Sequence, residues 1–383
     1  MSAAPPARGE DARYMARALA LAARGLGETN PNPAVGCVVV RGGRVVGEGF
    51  HRRAGGPHAE VAALAQAGAR ARGATVYVTL EPCAHEGRTP PCAPAVAAAG
   101  PRRVVVATGD PNPKVAGRGL RLLRASGIEV TTGVLGDRAA LLNERFLVAL
   151  ARGRPFVLLK AGLTLDGRIA TAAGRSRWIT SPVQRRAARR LRRLFDGIAV
   201  GIGTALADDP LLLPEPRTRR PFTRVVFDSR FRLPLGSRLV KTARRQPVVV
   251  LGAPGAEGRR RALERAGVRT IALPAGPRPR AALGALWAAG LRSLMVEGGS
   301  ELLGSFLAAR AFDQVALFRA PLLLGGRGSL AAFGGDDPRS LDRAVRLVPR
   351  SPLAPGLDPA VDPGLGPVLT AGGELWYAPT RKR

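Results

Sequence analysis

Three residues, His58, Cys83 and Cys92, constrain this chain more than any other feature of its sequence. The stretch that contains them begins Pro57-His58-Ala59-Glu60, continues through Glu81-Pro82-Cys83 and ends Pro90-Pro91-Cys92. One imidazole and two thiolates are the ligand set of a catalytic zinc site, which keeps its fourth coordination position open. The sequence therefore predicts a Zn²⁺ site formed by His58, Cys83 and Cys92.

Glu60 is the candidate proton carrier of this site. A glutamate two residues after the histidine, with a Pro-Cys pair downstream, is typical of zinc deaminases, in which it moves protons and does not bind the metal. Zinc supplies the other half of this chemistry, because it lowers the pKa of a bound water from about 15.7 to about 7. The alternative is a structural zinc site, which usually has four protein ligands. In that alternative His85, in the loop between the two cysteines, is the candidate fourth ligand.

The net charge of +31 is the main argument for a nucleic-acid ligand. The basic residues are nearly all arginines and are scattered along the chain, with lysines at positions 114, 160, 241 and 382 alone. Aromatic residues, on which the bases of single strands stack, make up 4% of the sequence. We therefore expect a small-molecule substrate and no specific nucleic-acid partner.

The sequence favours a cytoplasmic protein that does not interact with membranes. It contains no apolar run long enough to span a bilayer, and its first residues lack the apolar centre of a signal peptide. Of three cysteines, two are assigned to the metal, and Cys37 is expected to be a buried apolar residue, so no disulfide framework remains.

Helical and strand patterns alternate along the whole chain, which predicts an α/β protein. We expect a flexible N-terminus over residues 1–10, a three-layer domain over 11–151 and a second α/β domain over 152–383. One helix is predicted from Asp137 to Leu150, and an irregular Pro- and Gly-rich loop from Val348 to Gly373. The strand predicted from Ser293 to Glu297 runs through Gly298-Gly299 into a helix. Such a turn lets backbone N–H groups approach a pyrophosphate, although many strand-to-helix turns use glycine for geometry alone.

Several motifs of the first domain resemble the deaminase half of the bifunctional riboflavin-biosynthesis deaminase–reductases. The resemblance implies a cytidine-deaminase-like fold and a phosphoribosylaminopyrimidine substrate. It also implies contacts from Asn32, His51 and His85 to the base, and from Lys114 to the ribose phosphate. The motifs are Thr29-Asn30-Pro31-Asn32-Pro33-Ala34-Val35-Gly36, Gly49-Phe50-His51, His58-Ala59-Glu60, Glu81-Pro82-Cys83, Gly87-Arg88-Thr89-Pro90-Pro91-Cys92 and the run from Asp110 to Gly119.

The second domain resembles the reductase half of the same family, which implies a dihydrofolate-reductase-like fold and NADPH as cofactor. The motifs are Lys160-Ala161-Gly162, Leu165-Asp166-Gly167-Arg168-Ile169-Ala170, Ser176-Arg177-Trp178-Ile179-Thr180-Ser181, Ala207-Asp208-Asp209-Pro210 and Val296-Glu297-Gly298-Gly299. The residues that the resemblance assigns to the cofactor are Gly162, Trp178, Thr204, Asp208, Ser229, Gly298, Gly299 and Ser300. Those that it assigns to the substrate are Lys160, Ser176, Arg192, Leu212 and Glu297.

Alternatives remain open for the second domain. Trp178 could be a core residue, Arg192 part of a solvated arginine face, and Glu297 an ordinary ion-pair partner. Where the family usually has Leu-Thr-x-Arg, with an arginine that meets the substrate phosphate, this chain has Leu211-Leu212-Leu213-Pro214-Glu215, and Arg217 is the candidate substitute. The alternatives for function are a deaminase with an impaired reductase and a nucleic-acid deaminase. A homo-oligomer is compatible with all of them.

Overall fold

The computed structural model describes residues 9–86, 89–112, 115–349 and 374–379. The chain divides between Arg152 and Gly153 into two compact units. The predicted phosphate contact Lys114 and residues 350–373 of the predicted loop lie outside the described residues. No helix in the described ranges combines the length and apolar character that crossing a membrane requires.

The first unit is built on one mixed sheet with the strand order β2-β1-β3-β4-β5. Strand β1 pairs antiparallel with β2 and β3, whereas β3, β4 and β5 are parallel. The strands are β1 (Gly36–Arg41), β2 (Arg44–Phe50), β3 (Thr75–Val78), β4 (Arg103–Val106) and β5 (Glu129–Thr132), and the helices are α1 (Gly9–Ala23), α2 (Ala59–Ala67), α3 (Cys92–Ala99), α4 (Arg118–Ala125), α5 (Gly136–Leu142) and α6 (Glu144–Arg152).

Helices cover both faces of this sheet, which confirms the three-layer prediction. Alternate side chains of a strand point to opposite faces. Val38 and Val40 accordingly pack with α1 and α5, while Cys37 and Val39 pack with α2, α3 and α4. Cys37 is a fully buried free thiol, as the sequence predicts.

The single helix predicted from Asp137 to Leu150 is wrong, because Asn143 separates α5 from α6. Asn143 is 4% exposed, and its side-chain amide binds the backbone of Ala34. The Ala34 amide donates to Asn143 Oδ1 at 2.8 Å, and Asn143 Nδ2 donates to the Ala34 carbonyl at 2.9 Å. This tertiary contact fixes the segment that leads into β1, and no helical periodicity reveals it.

The second unit contains a sheet with the order β11-β10-β9-β8-β12-β6-β13-β16-β15. Its strands from β11 to β13 are parallel, and β16 pairs antiparallel with β13 and β15. The strands are β6 (Phe156–Leu163), β7 (Arg168–Ala170), β8 (Gly197–Gly201), β9 (Thr223–Phe227), β10 (Val248–Gly252), β11 (Arg269–Ala272), β12 (Ser293–Val296), β13 (Gln314–Arg319), β14 (Leu330–Ala331), β15 (Leu347–Pro349) and β16 (Glu374–Pro379). The helices are α7 (Pro182–Leu191), α8 (Ile202–Asp208), α9 (Arg238–Lys241), α10 (Glu257–Arg265), α11 (Pro279–Ala288) and α12 (Ser300–Ala308).

Two features of the second unit matter for its site. Helix α7 begins with a capping box: the Ser181 side chain accepts from the backbone amide of Gln184, and the Gln184 side chain accepts from the backbone amide of Ser181. The irregular loop predicted from Val348 is wrong at its start, because Val348 and Pro349 pair with β16. The parallel strands β6, β8 and β12 end at one edge, where ligands of such sheets usually bind.

Candidate active sites

The three predicted zinc ligands come together at the starts of two helices in the first unit. His58 is the residue that caps the N-terminus of α2, Cys92 is the first residue of α3, and Cys83 follows β3. Their ligand atoms all lie within 4.8 Å of one another. A tetrahedral zinc with bonds of about 2.0 to 2.3 Å needs ligand atoms about 3.5 Å apart, so this donor set fits the metal. His85 is not a member of the group found among the described residues, which removes the support for a four-ligand structural site.

The orientation of the His58 ring decides which nitrogen faces the metal. Its Nδ1 lies 2.9 Å from Cys92 Sγ and 3.7 Å from Cys83 Sγ, whereas Nε2 lies 3.0 Å from Thr89 Oγ1. Nδ1 is therefore the metal-facing nitrogen, and Nε2–H donates to the threonine hydroxyl. Such outer hydrogen bonds fix the tautomer and the ring orientation of a metal-binding histidine. Thr89 has no role in the sequence-based prediction, although it lies three residues before a ligand.

Cys83 is the more acidic of the two thiols. Hydrogen bonds from the Cys92 thiol and from the Cys92 backbone amide, which is 3.3 Å from Sγ, lower the pKa of Cys83 to about 4. The same contact raises the pKa of Cys92, because the two sulfurs share one proton. The start of α3 stabilises the charge on Cys83 through its backbone N–H. One thiolate is thus already favoured, and zinc deprotonates a coordinating thiol outright.

Glu60 lies in the first turn of α2 and is 3% exposed. Burial raises the pKa of its carboxyl group to about 7. The group shares a hydrogen bond with Cys92, which places it at the rim of the ligand cluster. A carboxyl group with a pKa near neutrality takes up and releases a proton with little cost, which is what a general acid and base must do.

Asn32 and His51 form a second pair beside the ligands. Asn32 Nδ2 donates to His51 Nε2 at 3.1 Å, and His51 Nδ1 donates to the Pro57 carbonyl at 3.1 Å. Burial lowers the pKa of His51, so that its ring is neutral at pH 7. The ring is 3% exposed and meets the His58 ring edge-on at 5.2 Å between centroids. The geometry therefore makes His51 the support of the Asn32 amide.

Glu81 is a positioning residue to which the sequence analysis gave no role. Its buried carboxylate accepts backbone N–H groups from the start of α4 and the loop before it, at Gly117 (3.0 Å), Gly119 (3.1 Å), Asp110 (3.4 Å) and Leu120 (3.4 Å). A carboxylate is stabilised at the positive end of a helix. A Cβ on Gly119 would lie 1.9 Å from the Pro82 carbonyl oxygen, so only glycine permits this approach. Glu81 thereby fixes the residues just before Cys83.

Lys160, Arg192 and Glu297 form a charged cluster in the second unit. Arg192 binds the Glu297 carboxylate through Nε at 2.7 Å and Nη2 at 2.9 Å, and Lys160 Nζ lies 3.9 Å from Glu297 Oε2. Burial raises the pKa of Glu297, but the charges of Arg192 and Lys160 outweigh it and hold the pKa below its ordinary value. Burial also lowers the pKa of Lys160. Arg192 is therefore not part of a solvated face, and Glu297 is an ion-pair partner, while the substrate contacts of both residues stay predictions.

The predicted cofactor turn is assembled from two elements. Gly299 precedes α12 with φ 72°, and a Cβ there would lie 3.3 Å from Thr204 Oγ1 in α8. Gly162 lies on β6, where a Cβ would be 2.9 Å from Thr180 Cγ2 and 3.9 Å from Lys160 Nζ. Backbone N–H groups at the start of α12 can approach a phosphate here, so the residues fit a dinucleotide. The Ser300 hydroxyl instead donates a hydrogen bond of 2.7 Å to the Ala331 carbonyl.

The remaining predicted cofactor residues are on the surface. Trp178 is 68% exposed, so the core interpretation is wrong, and the Arg185 guanidinium lies 4.2 Å from its ring centroid. Asp208 binds Arg177 at 3.0 Å. Ser229 is exposed, and its carbonyl accepts from the Ala253 amide.

The predicted substrate residues outside the charged cluster differ in burial. Ser176 is half-buried in the segment that leads to Trp178. Leu212 is 6% exposed and packs into a core cluster, so its side chain does not face an open site. Glu215 is exposed and forms an ion pair with Arg189, and Arg217 is exposed as well.

The chain is similar along most of its length to curated riboflavin biosynthesis proteins named RibD. It is 42% identical over 339 residues to the protein of Aquifex aeolicus, covering 88% of this chain and 93% of that one. It is 44% identical over 333 residues to the protein of Escherichia coli, covering 82% and 89%. Among solved structures, Acinetobacter baumannii RibD shares 38% identity with a TM-score of 0.82, over 97% and 99% of the two chains. A deaminase/reductase of Thermotoga maritima shares 32% identity with a TM-score of 0.78, again over 97% and 99%.

Two family models cover the two halves of the chain. Residues 8–108 match the cytidine and deoxycytidylate deaminase zinc-binding region, and residues 155–355 match the RibD C-terminal domain. Fold and sites thus define a zinc-dependent deaminase joined to an NADPH-dependent reductase with a dihydrofolate-reductase-like fold. The chain belongs to the RibD family, the bifunctional deaminase–reductases of riboflavin biosynthesis.

Proposed function

We propose that the first unit hydrolytically deaminates 2,5-diamino-6-(5-phosphoribosylamino)pyrimidin-4-one and that the second unit reduces the ribosyl group of the product to a ribityl group. The Thermotoga maritima relative carries these two activities in its name. His58, Cys83 and Cys92 lie together beside a buried Glu60, and this observation supports the first step. This arrangement favours catalysis over a purely structural metal site.

Glu60 carries the protons of the deamination. Zinc, when bound, supplies a Lewis acid that ionises water near neutral pH. The Glu60 carboxylate accepts a proton from the attacking water and delivers it to the ring nitrogen and then to the departing amino group, which leaves as ammonia. Its pKa of about 7 suits it to both directions of transfer.

Asn32 orients the base for this reaction. The His51 ring binds one hydrogen of the Asn32 amide and is itself anchored by the Pro57 carbonyl. The other polar atoms of the amide can then bind the pyrimidine edge without rotating. Such a support reduces the entropy lost when the substrate is bound in the reactive position. His85 and Lys114 stay predictions as further substrate contacts.

In the second unit, Lys160 is the group best placed to donate a proton. NADPH, when bound, would supply the hydride that reduces the anomeric carbon of the ribose, with release of the ring oxygen from that carbon. That oxygen needs a proton, and a lysine whose pKa is lowered by burial donates one more readily than a solvated lysine. Arg192 and Glu297 hold Lys160 in the site.

Two further expectations accompany this function. The described cysteines are free thiols, and a zinc-binding pair must remain reduced, which supports a cytoplasmic location. A homo-oligomer stays a prediction. The alternative of an impaired reductase rests on Glu215, and the pairing of that residue with Arg189 weakens it.

The decisive experiment gives the zinc-loaded protein the diaminopyrimidinone ribosyl phosphate and measures ammonia release and NADPH oxidation separately. Ammonia release without NADPH, followed by oxidation once NADPH is added, is the expected result. Ammonia release with no oxidation would leave a deaminase alone. If neither signal appeared with zinc bound, the substrate would be wrong, and deamination of single-stranded nucleic acid would be tested next.

A further inference from the structure

Three arginines hold the loop over residues 211–215 at every second residue. Arg224 Nη1 donates to the Leu211 carbonyl at 3.2 Å, and Arg192 Nη1 donates to the Leu213 carbonyl at 2.8 Å. The third is Arg189, whose guanidinium binds the Glu215 carboxylate and whose carbonyl accepts from the Glu215 amide at 3.2 Å. The contacts at Leu211 and Leu213 engage backbone carbonyls, whereas Glu215 is held through its backbone amide and also through a side-chain ion pair that a ligand can separate.

The inner charges of the site leave little capacity for an anion. Lys160 and Arg192 both neutralise Glu297, which is 9% exposed at its side chain. Arg192 already has three of its donors engaged, two on Glu297 and one on Leu213. Drawing either cation away from Glu297 would weaken the neutralisation of a buried carboxylate, which is costly. An exposed guanidinium beside this cluster is therefore a better candidate for binding a phosphate than the engaged side chains within it.

Arg189 lies next to this cluster and is more exposed. It lies on α7 three residues before Arg192 and binds Glu215 directly, and its positive charge lowers the pKa of both Glu215 and Glu297. Arg186 and Arg190 act on Glu215 as well. Helix α7 thus presents three positive charges against the single negative charge of Glu215. The surplus of two charges matches a phosphate dianion.

We propose that Arg189 binds the phosphate of the reductase substrate, and that Glu215 holds the Arg189 guanidinium in place until the phosphate displaces it. This inference rests on the proposed function, because it takes the phosphate from the substrate named there. In this proposal Glu215 positions Arg189, the residue that binds the phosphate. A chain with a carboxylate at this position can therefore still bind an anion.

The exchange is physically favourable for two reasons. The Arg189 and Glu215 side chains are 37% and 58% exposed, and ion pairs exposed to this extent contribute little to stability. A phosphate dianion accepts two parallel N–H bonds from a guanidinium and carries more charge than a carboxylate. The Glu215 side chain is already mostly in water, so its release from Arg189 costs little free energy.

The test compares reduction of the phosphorylated substrate with reduction of its dephosphorylated ribosyl counterpart. We expect Arg189→Gln to raise KM for the phosphorylated substrate about 10-fold or more, since a charge-assisted hydrogen bond is lost, with kcat within about 2-fold. KM for the dephosphorylated compound should change less than about 2-fold, because that compound has no phosphate to lose. The double variant Arg189→Glu/Glu215→Arg returns an arginine to the site and should recover part of the affinity.

Three controls keep the outcome unambiguous. Glu215→Gln removes the competitor but not the binding group, so it should leave KM for the phosphorylated substrate equal or lower. Arg260→Gln removes the arginine of another exposed ion pair, which it forms with Glu257, and should change KM for neither substrate. NADPH affinity, measured by fluorescence titration, reports that the second unit of each variant is folded.

The proposal fails if Arg189→Gln leaves the preference for the phosphorylated substrate unchanged, or raises KM for both substrates equally. It also fails if Glu215→Gln raises KM as much as Arg189→Gln does. Failure of the proposed function looks different, because the unaltered protein would then oxidise no NADPH with either substrate.

Discussion

The guanidinium of Arg192 and the carboxylate of Glu297 form two hydrogen bonds, of 2.7 and 2.9 Å, across 105 residues of sequence. Glu297 follows β12 and Arg192 follows α7, so the pair joins the sheet edge to the helix beside it. Lys160 Nζ, 3.9 Å from the same carboxylate, completes the cluster. The protonation of Lys160 therefore depends on both partners, because Glu297 raises its pKa while Arg192 lowers it.

This coupling predicts the pH dependence of reduction. A protonated Lys160 is required, so the rate of NADPH oxidation should fall as pH rises through its pKa, which burial sets below 10.5. Glu297→Gln removes the charge that raises this pKa and should move the fall to lower pH. Lys160→Arg stays protonated throughout and should abolish the fall, at a reduced rate. A profile that is the same in all three proteins would exclude Lys160 as the proton donor.

Replacing Glu60 should abolish deamination without loss of the metal. Glu60→Gln keeps the shape of the side chain but cannot accept a proton, so ammonia release should slow by about 10²- to 10⁴-fold. Zinc content, measured by atomic absorption, should be unchanged because Glu60 is not a ligand. NADPH oxidation with the deaminated intermediate should also be unchanged. Loss of zinc from the variant would contradict the assigned role.

Thr89 should control zinc affinity through the His58 ring. Thr89→Val removes the 3.0 Å contact to Nε2 and should weaken zinc binding about 10- to 100-fold, because the ring loses its orientation. Competition with a chromophoric chelator measures this change directly. Thr89→Ser retains the hydroxyl and serves as the matched control. Equal affinities in the valine and serine variants would show that the hydroxyl does not act on the metal.

Asn143 should stabilise the segment before β1 more than its place between two helices suggests. Asn143→Ala leaves the buried Ala34 amide and carbonyl without partners, at a cost of about 2 to 4 kcal/mol. Hydrogen–deuterium exchange of residues 30–36 should accelerate. Ser126→Ala, at an exposed helix end, should change stability by less than about 0.5 kcal/mol. Unchanged exchange in the Asn143 variant would contradict the anchor.

Gly299 should be required for NADPH binding. An alanine at φ 72° costs about 1 to 2 kcal/mol, and its Cβ would press on Thr204 Oγ1 at 3.3 Å. Gly299→Ala should therefore displace the turn whose backbone N–H groups approach the phosphate, and should weaken NADPH binding, measured by fluorescence titration, about 10-fold or more. Gly284→Ala, in the exposed interior of α11 with open space around it, should leave affinity unchanged and add about 0.5 to 1 kcal/mol of stability.

The sequence by itself determined the zinc ligands, the neighbouring glutamate and the alternation of strands and helices. The ligands His58 and Cys92 lie at helix starts, and such positions follow from local patterns that a linear sequence retains. The three-layer arrangement follows in the same way, because alternating residues such as Cys37 and Val38 need apolar partners on both faces of a sheet.

Only the tertiary structure decided which polar groups meet. Asn143 binds Ala34, which is 109 residues away in the sequence. Arg192 is the arginine that binds Glu297 through two hydrogen bonds, and nothing in the sequence distinguishes it from the many other arginines of this chain. Glu215 appears in the sequence as a charge of the wrong sign, whereas in the fold it is bound to Arg189. Such pairings depend on burial and on distances between segments far apart in the chain, and neither periodicity nor composition carries that information.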